Sequence, residues 1–413
     1  MTRDLLKVKM KFKGLLHKVK KIDYKGVIAA VFLVCVFYIG AATFPLTVVN
    51  VGNIFNPSPH IRSVVGQWID LSYREMLNFD TIGLQNKGFY INLQGLTASL
   101  LGQRHLNDMI KLYNGHITEE AERKDTTVAA AQISKVCDRQ KEKGKDFLFV
   151  MAPFQVPKFE DIMPPGFRNY SNENADDLLA LLGEAGVPTL DLRDKMIADG
   201  KNHSDAFFVT DHHWRPETGL WAFTKIIDDL VQTGKIEPAL SPATDINEYN
   251  VEVLEDFFLG SFGRRTGIFF AGVDDFSVIT PKFETDFSVT TPYSGEIDKR
   301  GSFEEVIINE SRLVREFFVA NPYPAYGYAN KGLVQYRNEN APIDLKVLAT
   351  GDSFSHVSYI YLPLIFSTCD QLDLRYLEGS FEKYYEEFDP DIVIMLINPS
   401  QVMLENATHA FFK

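Results

Sequence analysis

Cysteine is scarce in this chain, with three residues among 413. So low a count gives no disulfide framework, and the sequence contains no Cys-x-x-Cys pair of the kind that holds a structural metal ion. Cys35 lies in an apolar run, which leaves Cys137 and Cys369 as possible partners. They could form one disulfide in an oxidising compartment or remain two buried free thiols, and the sequence leaves both possibilities open.

Outside the start of the chain, acidic residues clearly outnumber basic ones. Residues 1–25 carry nine Lys and Arg against two Asp, which gives +7. The whole chain carries −13, so the remainder carries −20. An acidic body of this kind repels the phosphates of nucleic acids, and we predict no nucleic-acid partner.

Charge of either sign is absent from residues 26–49, a run of 24 residues. As a helix this run is about 36 Å long, enough to cross a hydrocarbon core of about 30 Å. A buried core helix and a cleaved signal peptide are the alternatives, although the apolar core of a signal peptide is usually about 7–15 residues. Because basic residues stay in the cytoplasm, we predict a cytoplasmic tail at 1–25, a single-pass anchor at 26–49 and an extracytoplasmic remainder at the cell membrane.

Beyond the anchor, residues 50–85 are predicted to form a membrane-proximal stalk and residues 86–413 one α/β domain. Short apolar runs alternate with segments of helical spacing, a pattern typical of a parallel sheet with helices on both faces. The predicted strands lie at 147–152, 187–192, 345–349 and 392–397, and the predicted helices at 129–143, 174–182, 216–229 and 354–366. Glycines divide residues 254–300 into short Phe/Val/Thr-rich segments, which predicts an antiparallel insertion or flap.

The string Gly351-Asp352-Ser353-Phe354 closely follows the predicted strand 345–349. It places Ser353 at the carboxyl end of a buried strand and at the start of a predicted helix, where ligands of open parallel sheets bind. Free backbone N–H groups at the helix start could stabilise an oxyanion. Alternatively, Asp352 or Ser353 only caps the helix.

The string Asp211-His212-His213-Trp214 offers the base and the orienting acid that a nucleophilic serine needs. In an extended segment Asp211 and His213 share one face, so the carboxylate could hold the imidazole while Nε2 points to Ser353. His356, one helical turn after Ser353, is a rival base. A zinc site from Asp211, His212, His213 and His203 is a weaker alternative, because His212 and His213 should point to opposite faces. We predict no metal and no cofactor.

Two of the three tryptophans, Trp214 and Trp221, lie close to these histidines in the sequence. They could pack beneath the histidines or stack on a sugar ring, although core packing is the more common role of tryptophan.

Together, Asp-His-His-Trp and a later Gly-Asp-Ser resemble the extracytoplasmic SGNH-hydrolase-like proteins related to alginate O-acetyltransferases, in particular the DHHW subgroup. Asp211 and His213 precede Ser353, which is similar to the circularly permuted order of that branch. Further similar segments are Ala152-Pro153 with Lys158 and Met163-Pro164, Leu190-Asp191-Leu192, and Asp391–Ile397.

The resemblance implies a three-layer SGNH-like fold and a set of site residues: Ser353, His213 and Asp211 as the catalytic triad, and Asn398, Gly379, Tyr359, His212 and Trp214 around the oxyanion and substrate. It implies a bacterial cell-envelope enzyme that moves acetyl groups onto an exported polysaccharide through an acetyl-serine. A multi-pass membrane-bound O-acyltransferase would be its partner and supply the acetyl group.

Three alternatives remain open at this point. The same three residues would serve a polysaccharide esterase, with water as acceptor. A catalytically silent scaffold would only bind polymer or hold an export complex together. In a DHH-type phosphoesterase, Asp-His-His binds manganese, but that class needs further acidic ligands in an N-terminal strand, where no Asp-x-Asp string is found.

Overall fold

The computed structural model describes residues 87–238, 241–328 and 331–400, together with five separate positions between 26 and 37. The tail at 1–25, most of the anchor and the stalk at 50–85 therefore lie outside the described residues, and they stay predictions. Among the residues described, no helix is both long enough and apolar enough to cross a bilayer. The chain divides into two compact units, Met1–Lys87 and Gly88–Lys413, and the second is described here.

Helices and strands are numbered in chain order over the described residues. The strands are β1 His105–Leu106, β2 Met109–Lys111, β3 Ile117–Thr118, β4 Asp146–Met151, β5 Thr189–Asp191, β6 Tyr249–Phe258, β7 Asp274–Pro281, β8 Phe287–Thr290, β9 Asp298–Gly301, β10 Leu333–Arg337, β11 Ile343–Gly351, β12 Phe366–Leu372 and β13 Ile392–Ile397. The helices are α1 Lys87–Leu100, α2 Thr127–Glu142, α3 Ser171–Glu184, α4 Leu192–Ala198, α5 Pro216–Gln232, α6 Ser261–Thr266, α7 Ile268–Ala271, α8 Phe303–Ile307, α9 His356–Tyr359 and α10 Phe381–Phe388.

The main sheet has the strand order β5-β4-β13-β11-β12-β10-β8-β9. Its first five strands run parallel, and the last three extend it in antiparallel pairs. All four predicted strands lie in the parallel part, as β4, β5, β11 and β13. The sheet is therefore mixed rather than wholly parallel, with an antiparallel side added to a parallel centre.

Both faces of the parallel part are covered by helices. Alternate residues of a strand point to opposite faces. Accordingly, Val347 and Ala349 pack in an apolar cluster that includes α5, whereas Leu348 packs in the cluster that includes α2, α3 and α10. Strands covered on both faces read as the continuous apolar runs from which they were predicted.

The two cysteines of this unit lie on opposite faces of the sheet. Cys137 belongs to the cluster with α2 and Cys369 to the cluster with α5, and both are buried free thiols. Burial raises the pKa of both thiols. The disulfide that the sequence left open is therefore not formed between them.

The segment 254–300 differs in extent from the predicted insertion. Strands β6 and β7 form a separate antiparallel pair, and the short helices α6 and α7 lie between them. Strands β8 and β9 instead join the main sheet through β10. The glycine-rich segment thus contributes to two sheets.

The predicted helix at 354–366 is broken. A 3-10 turn at Ser353–Ser355 is followed by the short α9 and by a second 3-10 turn at Leu362–Leu364. Pro363 lacks the N–H that a continuous helix needs, and its ring disfavours helical geometry in the residue before it. The side chain of Ser355 also donates to the carbonyl of Asp352 at 2.7 Å, a local bond that competes with the helix.

Candidate active site

Ser353 lies in the turn that follows β11, at the carboxyl edge of the parallel strands. The buried carboxylate of Asp352 organises this turn: Oδ1 accepts from the Phe354 N–H at 2.8 Å and Oδ2 from the Asn398 N–H at 2.7 Å. Burial raises the pKa of Asp352. Asp352 therefore caps the turn, as the sequence allowed, and also ties it to the end of β13, while Ser353 remains partly exposed.

The Asp-His-His-Trp string forms a tight loop and not the extended segment that was expected. Phe207 pairs with Trp214, and the Phe208 N–H donates to the His213 carbonyl at 3.3 Å, so the chain reverses between them. Asp211 closes the loop by accepting from the His213 N–H at 3.1 Å, since an Asp side chain readily bonds the backbone two residues on. The prediction that His212 and His213 point to opposite faces is wrong, because their ring centroids lie 3.8 Å apart.

Hydrogen bonds join the three predicted catalytic side chains in series. Nε2 of His213 lies 2.7 Å from Oγ of Ser353, and Nδ1 of His213 lies 2.6 Å from Oδ1 of Asp211. The second carboxylate oxygen of Asp211 accepts from the Ser261 N–H at 2.6 Å. A hydroxyl, an imidazole and a carboxylate, the groups that a nucleophile, a base and an orienting acid require, are thus within hydrogen-bonding distance although 140 residues separate His213 from Ser353.

Burial and neighbouring charge set the protonation of the base and the acid. Burial, together with the electrostatic effect of His212, lowers the pKa of His213 to about 4 despite the opposing effect of Asp211. Burial alone would raise the pKa of Asp211, but His212, His213 and the bond from the Ser261 N–H outweigh it and hold that pKa below its ordinary value. At neutral pH the pair is a neutral imidazole beside a carboxylate, the state that a general base requires.

Aromatic side chains hold His213 on both sides. The ring of Tyr323 stacks on one face, with centroids 4.0 Å apart and planes 21° apart, and His212 lies against the other.

Trp214 is fully buried and donates from Nε1 to the Phe354 carbonyl at 3.1 Å. Trp214 thus supports the turn that carries Ser353, and being enclosed it is not available to stack on a sugar. Trp221, which was also considered for sugar stacking, is buried too and donates to Asp199 at 2.8 Å.

Residues 112–253 match the family model for the SGNH hydrolase-like domain of acetyltransferase AlgX. The family resemblance predicted from the sequence is confirmed. The matched range contains Asp211 and His213, and Ser353 lies beyond it. No curated protein matches this chain.

Two solved structures have a fold similar to that of this chain. PatB1 of Bacillus cereus, solved with a sulfonyl adduct, superposes with a TM-score of 0.59 at 16% identity, covering 74% of this chain and 98% of PatB1. A DHHW family protein of Eubacterium siraeum has a TM-score of 0.56 at 15% identity, covering 74% of this chain and 95% of its own. At these identities the similarity concerns the fold, a mixed α/β architecture with a largely parallel sheet.

Three predicted residues of the SGNH-like site have other contacts. The buried Tyr359 hydroxyl lies 3.1 Å from the Thr350 carbonyl and 3.2 Å from that of Ile394, between β11 and β13. Asn398 is fully buried, and its Nδ2 donates to the Pro153 carbonyl at 3.1 Å. Gly379 is exposed in the loop before α10, with a φ of 114° that favours glycine. Within the described part of the chain, no hydrogen bond joins any of the three to Ser353.

His356, the alternative base, lies beside a different carboxylate, that of Asp373. Its Nε2 lies 3.8 Å from Oδ2 of Asp373, which also binds Arg375 at 2.7 Å. Attraction to His356 and Arg375 outweighs burial and lowers the pKa of Asp373 to about 2. Ser353 is therefore paired with His213, and His356 lies beside the ion pair of Asp373 and Arg375.

Donor atoms of Asp211, His212 and His213 lie within 4.8 Å of one another, close enough to hold a metal ion. However, Nδ1 of His213 is bonded to Asp211, and Nδ1 of His212 lies 3.1 Å from the Ser261 hydroxyl. His203, the fourth ligand considered from sequence, is bonded through Nε2 to the Phe154 carbonyl at 2.7 Å. This donor set fits a hydrogen-bonded triad better than a metal centre.

Sequence reasoning missed several residues that support the site. Tyr323 has no motif to mark it, because a lone tyrosine far from the histidines in sequence carries no signal. Gly260 was read only as a segment break, yet a Cβ there would lie 2.2 Å from Cβ of Asp211. The close approach of Gly260 is what brings the Ser261 N–H to the carboxylate.

Proposed function

We propose that this protein is an extracytoplasmic O-acetyltransferase that moves an acetyl group to hydroxyls of an exported or cell-wall polysaccharide. The observation that carries the proposal is the series Ser353–His213–Asp211, joined at 2.7 Å and 2.6 Å. The match of residues 112–253 to an acetyltransferase family supports the reaction class. The order of Asp211 and His213 ahead of Ser353 supports a circularly permuted SGNH-like chain, which stays part of the proposal.

In the first step Ser353 takes the acetyl group. The hydroxyl proton moves to Nε2 of His213 as Oγ attacks the carbonyl carbon of an acetyl ester or thioester. A new C–O bond forms, the donor's C–O or C–S bond breaks, and the leaving atom takes the proton from His213. Asp211 stabilises the imidazolium in between and keeps Nδ1 protonated.

In the second step a sugar hydroxyl replaces the donor. It gives its proton to Nε2 of His213 and attacks the carbonyl carbon of acetyl-Ser353. The bond to Oγ breaks, and Oγ recovers the proton from His213. Ser353 is partly exposed, which leaves access for a hydroxyl of a large acceptor.

The Ser353 N–H is the best-placed donor for the oxyanion of both steps. The N–H groups of Phe354 and Ser355 already donate to Asp352, whereas that of Ser353 has no acceptor among the residues the structure describes. Removing one oxyanion donor typically slows such a reaction by about a hundredfold to a thousandfold. Gly379 and Asn398 stay predictions for further donors, and α9 is too short to supply a helix terminus.

The location and partner are proposed from the sequence. An anchor at 26–49 with nine basic residues before it would hold the domain outside the membrane. A multi-pass O-acyltransferase in the same membrane would pass acetyl groups outward to Ser353.

The proposal is tested with the full-length protein, an aryl acetate as donor and oligosaccharides as acceptors. Ser353→Ala and His213→Ala should each lower acetyl transfer by about a thousandfold or more, while the exposed His105→Ala serves as a matched control. An aryl sulfonyl fluoride should add to Ser353 in the wild type and not in Ser353→Ala, as judged by intact-protein mass. Circular dichroism verifies that each variant is folded.

Two outcomes favour the alternatives. Release of acetate that never appears on sugar would make the protein an esterase with the same triad. Normal polysaccharide acetylation in cells that carry Ser353→Ala, His213→Ala or Asp211→Ala would support the scaffold.

A further inference from the structure

A cavity of about 330 Å³ lies at the carboxyl edge of the sheet, away from Ser353. Its wall is formed by the loop after β4, by α4 and by residues 201–203. The volume falls at the lower end of the range of small-ligand sites. None of the catalytic residues lines it, so the mechanism above leaves it unused.

The mouth of the cavity combines an apolar face with polar groups. Phe159 is 70% exposed and Ile197 is 55% exposed, which is unusual for two large apolar side chains at one opening. Lys201 lies on the same rim, with Nζ 5.4 Å from the centre of the Trp221 ring, and the Asn202 amide is exposed beside it. A flat apolar ring bordered by amide and ammonium donors suits a sugar, which has an apolar face and hydroxyls around its edge.

The floor is rigid and close to electrically neutral. Arg193 is buried and binds Asp191 and Asp176, each at 2.7 Å, and Lys158 binds Asp176 at 2.9 Å. Two cations therefore face two carboxylates. This balance disfavours a phosphate or sulfate as ligand and favours a polar ring with little charge.

The cavity and the nucleophile lie along the same edge. The loop after β4 and the start of α4 follow β4 and β5, whereas Ser353 follows β11 in the order β5-β4-β13-β11. Adjacent strands are about 4.8 Å apart, so the ends of β4 and β5 lie two to three strand spacings, or about 10–14 Å, from the end of β11. An oligosaccharide can span that distance and a single sugar cannot.

We propose that this cavity, with Phe159 as its stacking platform, holds one sugar ring of the acceptor while a hydroxyl of another ring reaches Ser353. This inference rests on the proposed function and specifies its substrate as a chain of several sugars. It makes Phe159 a residue that selects long acceptors over short ones.

The test compares Phe159→Ala with Phe269→Ala, which removes a similarly exposed phenyl ring on α7. Acetyl transfer is measured to cellotetraose, chitotetraose and mannotetraose, and to the corresponding monosaccharides. The measured quantity is kcat/KM for the preferred tetrasaccharide divided by kcat/KM for its monosaccharide. This ratio should fall about tenfold in Phe159→Ala, mainly because KM for the tetrasaccharide rises, and it should stay unchanged in Phe269→Ala. An unchanged ratio in Phe159→Ala overturns the proposal.

Binding separates this inference from the proposed function. Isothermal titration of the same tetrasaccharides into Ser353→Ala needs no catalysis, and binding should weaken about tenfold when Phe159→Ala is added. If the wild type had no transferase activity but bound a tetrasaccharide through Phe159, the sugar site would stand and the proposed O-acetyltransferase function would be refuted. Binding of none of the three sugars, or Phe159-dependent binding of tetra-alanine instead, would refute the sugar site.

Discussion

Tyr323 lies against His213, with ring centroids 4.0 Å apart, and its hydroxyl donates to the carbonyl of Ser353 at 3.4 Å. One side chain thus contacts the proposed base with its ring and the backbone of the proposed nucleophile with its hydroxyl. Tyr323 is buried, and burial keeps its pKa well above the ordinary value, so the hydroxyl stays protonated. The ring fixes the orientation of an imidazole that must serve both steps.

This contact predicts different results for two substitutions. Tyr323→Phe keeps the stacked ring and loses a long hydrogen bond, so activity should fall by less than about tenfold. Tyr323→Ala opens a cavity beside His213 and should lower the free energy of unfolding by about 3–5 kcal/mol and activity much further. Chemical denaturation and aryl acetate hydrolysis measure both. Equal activity of the two variants at a temperature where both are folded would show that the ring does not position His213.

The depressed pKa of His213 predicts activity in mildly acidic solution. The base works when neutral, which holds above its pKa of about 4, whereas an ordinary histidine has a pKa of about 6.5. The acid limb of kcat/KM should therefore lie near pH 4 to 5, and activity should be lost as pH falls through that range. The unfolded chain binds this proton already below about pH 6.5, so stability should also decline from there downward.

His212 gives the matched test of that pH dependence. His212 is the second cause of the low pKa of His213, after burial, so His212→Gln should move the acid limb upward. The exposed His105→Gln should leave the limb in place. Melting temperatures at each pH separate loss of activity from unfolding. An acid limb near pH 6.5 in the wild type would refute the electrostatic account.

The strands were predictable because their signal is local. The residues of β4 and β13 are almost all buried, as the interior of a parallel sheet requires, and a continuous apolar run follows from that position. The place of Ser353 at the carboxyl edge of the sheet followed from the predicted strand that precedes it. Its pairing with Asp211 and His213 was expected from the chemistry of those side chains and from the family resemblance.

The rest of the site depends on packing that no local pattern records. Tyr359 stays a prediction for the site: the chain after Ser353 forms no regular helix, and the Tyr359 hydroxyl lies between two strand carbonyls. The backbone N–H of Asn398 is held by the Asp352 carboxylate, a contact between the ends of two strands that are adjacent only in the folded sheet. Tyr323 lies 110 residues from His213, so its contact belongs to the tertiary structure alone.

Metal removal distinguishes the proposed triad from a metal-dependent phosphoesterase. Nδ1 of His213 is engaged with Asp211 at 2.6 Å, so hydrolysis of an aryl acetate should be unchanged after dialysis against a chelator. Added zinc should inhibit, because Asp211, His212 and His213 can gather donors within 4.8 Å once the proton on His213 is displaced. Activity that disappears with the chelator and returns with one equivalent of manganese would contradict the triad.

Gly260 is predicted to matter to the site only because it has no side chain and so leaves room for Asp211. Its backbone is extended and unstrained, but an added Cβ would lie 2.2 Å from Cβ of Asp211 and 2.5 Å from the Thr210 carbonyl. Gly260→Ala must therefore push the Asp211 loop and the Ser261 N–H apart, which should lower both stability and aryl acetate hydrolysis, the latter by about a hundredfold or more.

Gly183→Ala is the matched control, because nothing lies within 4 Å of a Cβ at that position in α3. Alanine there should raise the free energy of unfolding by about 0.5–1 kcal/mol and leave hydrolysis unchanged. If Gly260→Ala hydrolysed the ester as fast as Gly183→Ala, the bond between the Ser261 N–H and Asp211 would not be needed to orient His213. The Asp211 carboxylate would then be held in place by its hydrogen bonds to His213 alone.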